Sequence, residues 1–120
     1  MILSGVASKP EAQRALKALP GVSNAVKPGA PYMYHYYIAA LIASGLDAEA
    51  KQAMIDYWGG MIKKGADTFW EVYDPNDDFK SPYSFFPVNS YCHAWSCTPV
   101  YFIRKYPEIL FNHLCEEKHI

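Results

Sequence analysis

The sequence predicts an all-α fold in which outer and inner helices alternate. Two observations lead there. Proline and glycine punctuate the chain at helix-length intervals. The segments between them then differ in kind, in the order amphipathic, apolar, amphipathic, apolar, amphipathic. An amphipathic helix turns one face to solvent, whereas a helix apolar all round needs cover on every side. An α/α barrel or toroid repeats this arrangement, with inner helices walled in by outer ones. A small helical bundle is the other architecture the pattern allows. At 120 residues the chain is one domain or part of one.

The first helix starts at Ser8-Lys9-Pro10-Glu11. Ser8 can cap, Pro10 suits a first turn, and Glu11 stands three residues after the cap. Ala12, Ala15, Leu16 and Leu19 share its inner face, and Pro20-Gly21 ends it. Residues 22–30 form a loop with Pro28-Gly29 as its turn. Pro31 opens the second helix, and Tyr32 to Ser44 follow with one ionisable side chain, His35, which predicts full burial. Gly45 stops it. Asp47 is expected to cap a third helix to Lys64, with Ala50, Ala53, Met54, Tyr57, Trp58, Met61 and Ile62 on one face. Gly59-Gly60 costs about 1 kcal/mol per glycine inside a helix, so the pair marks close packing or a bend. Gly65 suits a left-handed C-cap.

The stretch from Gly65 to Asn89 is too long for a simple connector, and too aromatic for disorder, with Trp70, Tyr73, Phe79, Tyr83, Phe85 and Phe86. It is expected to pack against something. Ser90 is expected to cap a fourth, apolar helix from Tyr91 to about Tyr106, kinked or restarted at Pro99. Pro107 opens a last amphipathic segment with Ile109, Leu110 and Leu114 inward and a charged end, Glu116-Glu117-Lys118. Connections 20–31 and 65–90 both lead from an outer to an inner helix. A barrel puts them at one rim, which gathers Tyr32, Tyr34, Trp70, Glu71 and His93 near one mouth.

Bulk properties narrow the function. A net charge of −1 favours neither nucleic acid nor an anionic membrane surface. No apolar run reaches the roughly 18 residues of a spanning helix. Met1-Ile2-Leu3-Ser4-Gly5 lacks the basic and apolar regions of a secretory signal, so a cytoplasmic location is the default expectation. Cys92, Cys97 and Cys115 are an odd number, and reduced thiols are expected. Cys92-His93 has no second Cys/His pair at zinc spacing. Asp74, Asp77 and Asp78 lack the glycine and closing glutamate of a calcium loop and read as a turn. No metal and no cofactor are expected.

Gly65-Ala66-Asp67-Thr68-Phe69-Trp70-Glu71, followed by Ser90-Tyr91-Cys92-His93-Ala94-Trp95-Ser96, resembles the bacterial α-L-rhamnosidases. The resemblance covers most of residues 28–104, including Pro31-Tyr32-Met33 and Tyr57-Trp58-Gly59-Gly60-Met61. These enzymes are inverting glycoside hydrolases with an (α/α)6-barrel catalytic domain. Such a barrel needs twelve helices and this chain offers about five, so it is similar to the last part of a barrel. Tyr106-Pro107-Glu108-Ile109-Leu110 departs from the usual run into a following β-sandwich.

The resemblance implies that Glu71 is the general base that activates water and that His93 lines the sugar site. Read alone, a glutamate in a loop is a solvated charge, and a histidine at the start of a helix is as often a core residue with a backbone partner. Trp70, Trp95, Tyr32 and Tyr34 are candidates to stack on a sugar ring, against the plainer reading of aromatics as core. An inverting glycosidase needs two carboxyl groups roughly 6.5–9.5 Å apart. The acid comes from an earlier barrel loop in the family, and residues 1–60 contain no matching motif. The expectation is therefore a chain with the base half of a site, inactive alone, that takes a rhamnoside or related sugar. It would self-associate or pair with the rest of the barrel. A non-catalytic sugar-binding or interaction module is the alternative.

Overall fold

The computed structural model describes residues 1–111. Leu114, Cys115 and the Glu116–Lys118 end lie outside the described residues. Those described are helical, with no strand among them. The helices are α1 (Lys9–Ala18), α2 (Pro31–Ala43), α3 (Asp47–Lys63), α4 (Thr98–Lys105) and α5 (Pro107–Phe111), with short 3-10 turns at Leu19–Gly21, Phe86–Val88 and Ala94–Ser96. None is long and apolar enough to cross a membrane.

Local chemistry sets the helix ends. Glu11 reaches back to the Ser8 backbone N–H at 2.9 Å, the return half of a capping box. Its carboxyl is held below the usual range, chiefly by the Ser8 hydroxyl. Gly65 adopts φ 96°, and Ala66 N–H reaches Met61 O at 3.1 Å across it, which closes α3. Asp47 lies inside α3 rather than at its cap, where Leu46 stands.

The helix α2 is central. It packs on α1, α3, α4 and the Ala94–Ser96 turn, while α5 bridges α3 and α4. Ile38 and Leu41 meet Leu16 of α1, Met54, Tyr57, Trp58 and Met61 of α3, and Phe102 of α4 in one core. Ala12 and Leu16 of α1 are buried as expected, but Ala15 is exposed. Ile62 of α3 is also exposed.

Two helical expectations are corrected. Full burial of α2 does not hold: Tyr32, Met33 and Tyr36 are exposed, because the elements packed on α2 leave one stripe of it uncovered. The molecule is accordingly a slab of 44 × 43 × 23 Å. Its radius of gyration is 15.7 Å, against about 13 Å for a compact 100-residue domain. The fourth helix is also shorter than expected. Residues 90–97 are irregular, and α4 starts only at Thr98, with Pro99 in its first turn. A proline there costs no hydrogen bond, since first-turn N–H groups have no partner within a helix. Ser90 therefore caps no helix; its hydroxyl closes a local turn on Cys92.

The Gly59-Gly60 pair leaves α3 unbroken. A Cβ on Gly60 would lie 2.6 Å from Cζ of Tyr73, so the glycine exists for close packing of that ring. Tyr57 of α3 then accepts the Tyr73 backbone N–H at 3.3 Å. These contacts fasten the chain two residues beyond Glu71.

Candidate functional site

Residues 69–71 run beside 90–93. Glu71 N–H donates to Ser90 O, and His93 N–H donates to Phe69 O, both at 2.9 Å. Phe69 and His93 face one side, where they edge an apolar recess of about 710 Å³ with Ile62, Cys92 and Cys97. Trp70 faces the other side with Tyr91, their rings 5.3 Å apart at 87°.

Glu71 sits in the seam and is 2% exposed. One carboxylate oxygen accepts the Tyr83 hydroxyl, and the other accepts Ser90 N–H at 2.8 Å. His93 Nε2 lies 3.8 Å from the first of these oxygens. The Tyr83 hydrogen bond above all, then Ser90 N–H and the imidazole, hold the Glu71 carboxyl below its usual range against the opposing effect of burial. Glu71 is therefore ionised at neutral pH. The layer over it is thin, for Tyr83 is itself 54% exposed.

Trp95 ties the seam to α2. Its indole N–H donates to Glu71 O at 3.2 Å, and its ring stacks on His93 with centroids 4.2 Å apart. Tyr32 lies 6.1 Å from the Trp95 ring and hydrogen-bonds Tyr36. Beneath, buried Trp58 of α3 donates to Ser96 O at 2.8 Å, which fixes the Ala94–Ser96 turn.

The structure thus brings Glu71, His93, Trp95 and Tyr32 into one continuous group. Two residues expected at the same mouth are elsewhere. Trp70 lines the cleft on the opposite side of the seam, beside Tyr91. Tyr34 stacks on Tyr57 at 3.9 Å inside the core. His93 precedes the Ala94–Ser96 turn in extended conformation rather than standing in the first turn of a helix. Tyr83, the partner of the Glu71 carboxylate, carries no signal in the sequence beyond being one aromatic among six. Cys92 and Cys97 are free and exposed, and no group of three or more His, Cys, Asp or Glu side chains among the described residues is placed to hold a metal ion. The Asp74 and Asp77 carboxylates accept backbone N–H groups two residues on, as turn residues do.

Fold and site define an all-α, barrel-type segment with an ionised carboxylate among aromatic rings. Its likeness among solved structures is more particular. The chain is similar to a rhamnosidase from Klebsiella oxytoca with rhamnose bound, at 45% identity over 88% of this chain, with a TM-score of 0.81. The resemblance to the bacterial α-L-rhamnosidases stands, and the chain is glycoside hydrolase-like. It spans 21% of the length of that rhamnosidase. No protein-family model matches the chain, and no curated protein matches it.

Proposed function

We propose that the chain is part of an inverting α-L-rhamnosidase-type catalytic domain and supplies the general-base half of its site. Residues 1–120 form one partial barrel domain in this reading. Glu71 activates water, and His93, Trp95 and Tyr32 contact the sugar. The observation that carries this is the ionised Glu71 carboxylate, held by the Ser90 N–H and the Tyr83 hydroxyl and 3.8 Å from His93. A base that is already ionised at neutral pH needs no further tuning. Glu71 is 2% exposed with Tyr83 over it, so Tyr83 moves aside for Glu71 to meet water.

The acid partner lies outside these 120 residues, so the chain alone is expected to leave an aryl α-L-rhamnoside intact. Steady turnover by the purified chain, abolished by Glu71→Gln, would overturn that expectation. The exposed apolar side chains of α2 and α4, among them Tyr32, Met33, Val100 and Ile103, support self-association or pairing with the rest of a barrel. A clean monomer by light scattering at high concentration would count against it.

One observation favours a second reading, a non-catalytic sugar-binding module. The Glu71 carboxylate is 2% exposed and covered by Tyr83. Calorimetry with rhamnose separates the two. Binding that survives Glu71→Gln but is lost on Trp95→Ala supports the binding module. Restored hydrolysis when the chain is combined with the rest of such a barrel, lost again on Glu71→Gln, supports the base.

A further inference from the structure

The side of the seam opposite His93 carries a second cleft, of about 410 Å³. That volume lies within the roughly 300–1,000 Å³ of small-molecule sites. Four rings wall it in edge-to-face succession. Trp70 meets Tyr91 at 5.3 Å, Tyr91 meets Phe86 at 6.2 Å, and Phe86 meets Phe79 at 5.1 Å. Asp74 and Asn89 stand among them.

The charges select against two ligand classes. Asp74, Asp77 and Asp78 outnumber Lys64 and Lys80 in the lining, and this net negative charge disfavours anions. The place for a cation is already filled by Lys64. Its ammonium is paired with Asp78, donates to Pro75 O at 3.2 Å, and lies 5.7 Å from the Tyr73 ring centre. Two acceptors in the wall have room for a donor. The Asn89 NH2 donates to Lys80 O at 2.6 Å, which fixes the amide orientation and leaves Oδ1 with no donor. The Asp74 carboxylate keeps acceptor capacity beyond its one turn hydrogen bond. A neutral ring with one C–H face for aromatic stacking and several hydroxyls meets these demands together.

We infer that this cleft binds a neutral pyranose, stacked on Trp70, as a sugar site separate from the Glu71–His93 group. The two sites share a wall: Ser90 lines the cleft and donates its N–H to Glu71. A glycan could therefore lie across both. Trp70 becomes a contact of the second sugar rather than of the sugar beside His93. None of this requires Glu71 to be a base.

The test is a titration of the full 120-residue chain with L-rhamnose and with D-glucose, followed by NMR shifts of labelled indole N–H groups. Trp70 is expected to shift with at least one of these sugars. Trp70→Ala should weaken that binding about tenfold, and Trp70→Phe should restore most of it. Trp95→Ala should leave it unchanged. Absence of any sugar-dependent shift at Trp70 would overturn the inference. So would tighter binding of tetramethylammonium or of glucuronate than of the neutral sugars. The cleft and the proposed catalytic role fail separately. Loss of the Trp95 response alone counts against the Glu71–His93 site, and loss of the Trp70 response alone counts against the cleft.

Discussion

The two ends of the long loop are held differently from its middle. Residues 66–73 and 89–97 are fastened through backbone: the Glu71–Ser90 and His93–Phe69 hydrogen bonds, Tyr73 N–H on Tyr57, and Trp58 on Ser96. Residues 75–88 are mostly exposed and are held by side chains, notably Lys64 on Asp78 and Tyr83 on Glu71. Ser84, next to Tyr83, takes φ 56°, the left-handed region that a residue with a Cβ rarely adopts. Backbone contacts to a core helix fix position, whereas an exposed phenol is a cover that can leave. The loop therefore separates placing the carboxylate from admitting solvent to it.

Four experiments probe that contrast. The largest expected effect is from Trp58→Ala, which empties a buried site and strips Ser96 O of its donor. A loss of about 3–5 kcal/mol is expected in urea unfolding. If the ends are fastened through α3, the His93 and Trp95 signals should shift with it. Gly60→Ala comes next, with a loss of about 1–3 kcal/mol, because the Tyr73 ring must move from the α3 surface. Unchanged stability would mean that the ring does not anchor the loop.

Tyr83→Phe acts on the cover alone. It should lower stability at neutral pH and raise the Glu71 carboxyl titration toward 4.5, since the Tyr83 hydrogen bond is the main cause of its depression. The sign for stability follows. A depressed carboxyl contributes stability present above 4.5 and lost as pH falls through the folded-state value. Tyr83→Phe should shrink that acid loss, and 13C titration of the Glu71 carboxyl measures it.

The smallest effect concerns His35, under the fastened end, which hydrogen-bonds Thr98 at the start of α4. Burial, and then Lys105, push its imidazole below 6.5. The folded state therefore binds fewer protons than the unfolded one. Stability should be complete above 6.5 and decline as pH falls from there toward the folded-state value. His35→Gln should remove this part of the pH dependence, and a difference that persists would place its origin elsewhere.

Much of the helical frame was legible because its signals are local. The Ser8–Glu11 start, the Gly65 stop, the proline openings and the periodic face of α3 all act within a few residues. The two motifs of the site were legible too, and the likeness to a rhamnosidase agrees with them. The start of α4 was misplaced because Tyr91 to Tyr101 is apolar whether helical or not. Trp58 holds Ser96 across 38 residues and keeps the first part of that run irregular.

By itself, then, the sequence determined the all-α class, the order of the helices, the ends set by local caps and stops, and the pairing of a Trp-Glu stretch with a His-Ala-Trp stretch. Only the tertiary structure decided that neighbouring Trp70 and Glu71 serve opposite sides of a seam, that Tyr83 closes the carboxylate, and that one stripe of α2 stays uncovered. The reason is range. Caps and periodicity depend on residues a turn apart. Sidedness of a loop segment depends on which segment it runs beside, and burial depends on which neighbours arrive.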